Sequence, residues 1–184
     1  MVSDAMESVR EYVNQHADIG SRVHHLIQYP GQEGDESKEV MKALTAWDAF
    51  SEQVDFRLLE IEHPVAGITW GKDTVGFGGT LDAVIQPSNM DYPVLIEVKT
   101  SRRLNDAHAM QAAAYAHAWE AMYGDTLEEV WVVQLGKYDG NFEIRKIDRQ
   151  TAMQGFIACQ TLFTLLNGEA VWDWEVGDGP FSGL

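Results

Sequence analysis

At 184 residues the chain is long enough for one domain with a well-buried core. Lys and Arg total 13 against 29 Asp and Glu, and the formal charge of −16 argues against broad, nonspecific adhesion to DNA or anionic membrane while leaving room for a small basic site. The single Cys159 excludes an intrachain disulfide framework and any cluster held by several cysteines; with no long apolar run and no signal-like start, the expected setting is cytoplasmic, away from membranes.

Ser3 or Asp4 can cap a first helix reaching about His16. A second is expected from Asp18 to just before Pro30, with Ile19, Val23, Leu26 and Ile27 on its apolar side. It contains Gly20-Ser21-Arg22-Val23-His24-His25, where a histidine taken alone reads more readily as structural or solvated than as a ligand. A polar loop from Pro30 to Asp35 leads to a third helix bearing Val40, Leu44, Trp47 and Phe50. Residues 54–63 read as a strand carrying Glu60 and Glu62, followed by Val65–Trp70 and a Gly71-Lys72-Asp73 turn.

The next two strands carry the chemistry. Val75 to Ile85 contains Asp82, and turn formers from Gln86 to Pro93 separate it from Val94-Leu95-Ile96-Glu97-Val98-Lys99-Thr100. Side chains at i and i+2 leave a strand on one face, so Glu97 and Lys99 point the same way. Those two residues alone would suit an edge-strand ion pair equally well. A hairpin centred between Asn89 and Met90, however, sets Asp82 directly opposite Glu97, with Cβ atoms about 5 Å apart. Opposed carboxylates repel unless a proton or cation lies between them, and oxygen ligands suit a hard divalent ion such as Mg²⁺.

After Lys99 comes the most basic short stretch, with Arg102 and Arg103 beside this carboxylate pair. Asn105 or Asp106 can cap an alanine-rich helix reaching about Met122 and closed by Gly124. Gln111 and Tyr115, four apart, share a face of it; alone they read as a helix–sheet packing contact. Glu129–Leu135 and Asn141–Ile147 form a second hairpin about Tyr138-Asp139-Gly140. A last amphipathic helix over about residues 150–166 bears Phe156, Leu162, Phe163 and Leu166, and Cys159 reads as a small buried residue in it. The tail from Gly168 is acidic, with Trp172 and Trp174 as anchors. The chain thus reads as one α/β domain: N-terminal helices over about residues 1–50, a mixed central sheet with its helices over about 54–147, and a C-terminal helix and tail over about 150–184.

In this order the residues resemble the PD-(D/E)xK nuclease superfamily, in its RecB-like exonuclease branch. Gly79-Thr80-Leu81-Asp82 matches the G-x-x-D motif of that branch and Glu97-Val98-Lys99 its E-x-K motif. Gln111 to Tyr115 matches Q-x-x-x-Y, Gly20 to His24 matches an upstream G-x-x-x-H element, and Glu62 matches an auxiliary acidic position. The likeness covers about residues 18–147. Each motif is weak singly; four in order at sensible spacing are specific. CRISPR-associated members hold an iron–sulfur cluster through four cysteines, so the match is to members without the cluster. No helicase motif is present, so a motor, recombinase or annealing partner would be a separate protein.

The resemblance implies a restriction-endonuclease-like core with a mixed sheet flanked by helices, and metal-dependent hydrolysis of DNA phosphodiesters, single- or double-stranded and entered from an end. Asp82, Glu97 and the Val98 carbonyl would hold Mg²⁺ or Mn²⁺, with His24 contributing. Lys99 would assist the attack on phosphorus, and Gln111, Tyr115, Arg102 and Arg103 would position the DNA backbone. Phage or cellular recombination and repair would be the setting. Two rival readings are a catalytically inactive nuclease fold serving as a DNA-binding or structural module, and an acidic DNA-mimic inhibitor. A mimic has no need of Lys99 among its carboxylates.

Overall fold

The structure is a computed structural model that describes residue 14, residues 17–69 and residues 75–167. Helix α1 covers residues 17–28, and Ile19, Val23 and Leu26 recur at helical spacing to bury one stripe. Arg22 ties it to the following loop by pairing with Glu36 and donating to the Gln32 carbonyl at 2.9 Å. Helix α2 (Lys38–Val54) starts at Ser37, whose hydroxyl accepts from the Val40 amide, and buries Val40, Ala43, Ala46 and Phe50.

Five strands follow in a mixed sheet of order β1-β2-β3-β4-β5. β1 (Phe56–Thr69), β2 (Val75–Pro87) and β3 (Val94–Lys99) form an antiparallel meander. Helix α3 (Asp106–Tyr123) then carries the chain to β4 (Glu129–Leu135), which lies parallel to β3, and β5 (Phe142–Lys146) returns antiparallel. A parallel neighbour requires a crossover, and α3 provides it. Asn105 caps α3 within a reciprocal capping box with His108, and Gly124 closes it in the left-handed conformation that glycine tolerates, φ 76°. Helix α4 (Arg149–Asn167) packs along α3.

The sheet is thus covered on both faces. α1 and α2 share a core with Ala83, Ile85, Val94, Ile96, Val98, Trp131 and Val133. On the other face the alanines of α3 pack on Val84, Leu95, Val130 and Val132. No helix among the described residues is long and apolar enough to cross a membrane.

Several boundaries and burials differ from the sequence reading. The expected pair of strands at 54–63 and 65–70 is one strand to Thr69, because Pro64 sits within the β1–β2 ladder opposite Thr80 without ending it; Val54 closes α2 instead. β2 runs two residues past Ile85, and β5 is a residue shorter at each end than 141–147. Cys159 is exposed, not buried, although its Sγ meets Met110 Sδ of α3 at 4.0 Å. On α4, Leu162, Phe163, Leu165 and Leu166 are likewise exposed. The helix expected before His16, apart from the helical residue 14, the Gly71-Lys72-Asp73 turn, and Trp172 and Trp174 lie outside the described residues.

Candidate metal and phosphate site

The β2–β3 pairing runs Ile85↔Val94, Val84↔Leu95 and Ala83↔Ile96, the register of a hairpin centred between Asn89 and Met90. The next step would pair Asp82 with Glu97, and there the ladder stops. The Asp82 side chain takes over: its Oδ2 accepts the Val98 backbone N–H at 2.6 Å, satisfying an amide buried where the strands part. Leu81 and Ala83 are two apart yet enter opposite cores, so β2 twists sharply at Asp82.

β1 is distorted alongside. Its register with β2 shifts between Leu58 and Glu60, as in a bulge that raises local twist. Ile61 pairs with Ala83 and His63 with Leu81, so Glu62 lies opposite Asp82. Glu62 has φ 47°, a left-handed backbone that costs a side-chain-bearing residue about 1–3 kcal/mol. That strain brings its carboxylate beside Asp82, against electrostatic preference.

His24 meets both carboxylates from α1. Its Nδ1 is 3.1 Å from Glu62 Oε1 and 3.3 Å from Asp82 Oδ1. Helix approach is close here: a Cβ on Gly20, one turn before His24, would lie 3.4 Å from Thr100 Oγ1. Burial works against an imidazolium, but hydrogen bonds and charge attraction from Asp82 and Glu62 outweigh it and raise the His24 pKa to about 10. A proton on His24 therefore screens the two carboxylates. His25, about 100° further round the helix, makes no ion pair with either carboxylate, and its Nε2 is 3.2 Å from Gln32 Oε1.

Glu97 is fully buried, and Lys99 Nζ donates to its Oε1 at 2.5 Å. Its Oε2 has no hydrogen-bond partner. Burial and the neighbouring Asp82 raise the Glu97 pKa to about 7, although Lys99 and His24 pull it down. One ligand atom from each of His24, Glu62 and Asp82 lies within 4.8 Å of the others, a spread that a single cation with ligand distances of about 2.0–2.6 Å can span. Two carboxylates and an imidazole, supplied by β1, β2 and α1, fit a hard or borderline divalent ion such as Mg²⁺ or Mn²⁺.

The sequence reading placed Asp82, Glu97, the Val98 carbonyl and His24 at the ion, with Glu62 auxiliary. In the structure Glu62 stands in the cluster itself, while Glu97 is engaged by Lys99 just beyond it. A cavity of about 800 Å³ opens over the group, lined by Gly20, His24, Glu62, Val98, Lys99 and Arg102 among others. Gln111 and Tyr115 do not line it. Gln111 Nε2 donates to the Tyr115 hydroxyl at 3.1 Å, and the Tyr115 ring occupies the space a Cβ on Gly79 would need. Arg103 is exposed and outside the cavity wall. Lys137, which sequence reasoning passed over, is in that wall; a lone lysine in a loop gives no signal by itself.

No family model matches the chain, and comparison with curated proteins finds no match. Among solved structures it is similar to one titled "Crystal structure of SSO0001", with a TM-score of 0.42 and 19% identity over 77% of this chain. The match spans 65% of that protein, a little under two thirds of its length. By its own strands and helices the chain is an α/β protein with a five-stranded mixed sheet flanked by helices.

Proposed function

We propose that this protein is a metal-dependent DNA nuclease of the PD-(D/E)xK type, with a restriction-endonuclease-like core and RecB-like motifs, acting in the cytoplasm on DNA ends during phage or cellular recombination or repair. The observation that carries the reading is the opened end of the β2–β3 hairpin. There Asp82, Glu97 and Lys99 gather with His24 and Glu62 beneath a cavity, although burying ionisable groups at a sheet end costs solvation.

His24, Glu62 and Asp82 would hold Mg²⁺ or Mn²⁺, with Glu97 adjoining through its free Oε2. Such an ion supplies Lewis-acid stabilisation of charge on the phosphate and makes water more acidic. His24 gives up its shared proton on taking a ligand role, since an imidazolium has no lone pair to offer. Lys99 has three donors and no acceptor, so it stands outside the ligand set. Its ammonium, anchored by Glu97 Oε1, can donate to a phosphate oxygen as negative charge grows there. Arg102 in the cavity wall adds positive charge along the path of the DNA backbone.

The strongly acidic composition keeps a DNA-mimic inhibitor in view. A mimic displays its carboxylates on the surface, however, and Asp82 and Glu97 are buried. Incubation of linear DNA with Mg²⁺ or Mn²⁺, and with EDTA in parallel, separates the readings. Cleavage that EDTA stops is the expected result. No cleavage under any divalent ion would leave an inactive module or a mimic, and cleavage persisting in EDTA would remove the metal from the account.

A further inference from the structure

The turn from β4 to β5 brings a second lysine to the same cavity. Lys137 is 4% exposed, which ranks it with Asp82, Glu97 and Thr100 among the few buried polar residues. Its stem is buried while its ammonium reaches the cavity surface, and an ammonium so placed is normally neutralised by a partner, as Lys99 is by Glu97. Lys137 has none: among the described residues its ammonium makes no hydrogen bond or ion pair, and it stands 5.8 Å from the centroid of the Tyr138 ring. Burial holds its pKa below the usual lysine value, Glu39 on α2 attracts the charge without reaching ion-pair distance, and Arg102 repels it.

The position of Lys137 indicates what could pair with it. It lines the cavity above His24, Glu62 and Lys99, and also a neighbouring hollow of about 320 Å³. The two spaces share Thr100, Ser101, Arg102 and Lys137 as common wall. Arg102 is steadied there over the Tyr138 ring, 5.1 Å to the centroid. Gln134 Nε2 donates to the Ser101 carbonyl at 2.5 Å, fixing the segment that carries Arg102. Tyr138 and Asn141 lie further along the second hollow, where a nucleoside could stack or hydrogen-bond. An anion held at this wall would sit between the metal cluster and the second hollow.

We infer that Lys137, with Arg102, forms a phosphate subsite that holds the phosphodiester adjoining the one being cut, so that a nucleic-acid strand runs from the metal cluster into the second hollow. The inference rests on the nuclease reading and extends it to a residue outside the matched motifs. It casts Lys137 as a positioning residue: it binds a neighbouring phosphate and takes no part in bond breaking.

The test is steady-state cleavage of an oligonucleotide, and of a set in which one phosphate at a time is a neutral methylphosphonate. Lys137→Met retains the apolar stem and removes the charge; Lys137→Arg retains the charge. We expect Lys137→Met to raise KM about tenfold with kcat within about twofold, to lower the slope of log(1/KM) against log[salt] by about one, and to leave Mn²⁺ affinity unchanged. In the wild type, a methylphosphonate next to the cut should raise KM similarly, and the two changes together should cost no more than either alone. Lys137→Arg should restore most of the loss. Wild-type KM in Lys137→Met, or a loss that adds fully to the methylphosphonate effect, overturns the subsite while the nuclease reading stands. A lowered melting temperature that Lys137→Arg also shows, with kcat falling in step, assigns Lys137 to structure and overturns it too. A wild type that neither binds Mn²⁺ nor cuts DNA overturns both readings.

Discussion

From Ala83 to Ile85, β2 is paired residue by residue with β3, and Ala83, Val84, Ile85, Val94, Leu95 and Ile96 are apolar and no more than 2% exposed. One residue further, at Asp82 and Glu97, the pairing has ended, the side chains are carboxylates, and they are nearly as buried. The closed end satisfies its backbone through the ladder and removes apolar surface from water, which stabilises the fold. The open end satisfies the Val98 amide with a side chain, leaves Glu97 Oε2 without a partner, and holds a like-charged pair together. Packing cannot account for that arrangement. The same hairpin therefore contributes stability at one end and a strained, charged site at the other.

The contrast is broken most severely by exchanging one residue at each end. Asp82→Asn retains an oxygen to accept the Val98 amide but removes the charge. It should weaken Mn²⁺ binding about a hundredfold and abolish measurable cleavage, with stability within about 1 kcal/mol of wild type. Ile96→Ala should do the reverse, losing about 2–5 kcal/mol in denaturant unfolding while the molecules still folded retain their activity. If Asp82→Asn unfolds the protein as readily as Ile96→Ala does, the open end is structural.

Within the open end, the ligands can be separated from Lys99. Lys99→Ala should reduce the cleavage rate by about 10²–10³ while leaving Mn²⁺ affinity, read by calorimetry, close to wild type. Loss of Mn²⁺ binding equal to that of Asp82→Asn would instead make Lys99 a structural partner of Glu97.

The two adjacent histidines sharpen the comparison further. His24→Ala should weaken Mn²⁺ binding by about tenfold or more and reduce cleavage more in Mg²⁺ than in saturating Mn²⁺, because imidazole suits the softer ion. His25→Ala, which loses the contact to Gln32 and the ring contact with Tyr29, should remain within about 1 kcal/mol of wild type in stability and retain its activity. Equal effects from the two would remove α1 from the site.

The smallest effect is expected at Tyr115. Tyr115→Phe deletes the hydroxyl that accepts from Gln111 and should cost about 0.5–1.5 kcal/mol of stability, with a modest rise in KM for DNA. A fall in melting temperature with unchanged KM would assign the pair to helix–sheet packing alone.

The hairpin register was legible from sequence because turn formers between Gln86 and Pro93 leave few ways to align two apolar strands, and a one-residue slip would turn their buried faces to solvent. The caps of α3 were legible for a similar reason: Asn105 and Gly124 have local preferences that operate without tertiary help. The part played by Glu62 was not, because it depends on a positive φ in a residue that rarely adopts one and on a register shift several residues away. Lys137 was hidden because burial of a loop lysine is a property of the packed molecule. Cys159 was misread because amphipathic spacing in α4 marks an apolar stripe without saying how much of it another element covers.

The central claim, that the opened end of the β2–β3 hairpin is built to hold a divalent cation, is tested most directly by anomalous diffraction from crystals soaked in Mn²⁺. The account predicts one strong anomalous peak within about 2.0–2.6 Å of a His24 nitrogen and of Glu62 and Asp82 oxygens, and its loss in Asp82→Asn crystals. No peak at that cluster at saturating Mn²⁺, or a peak held only by acidic side chains elsewhere, would contradict it.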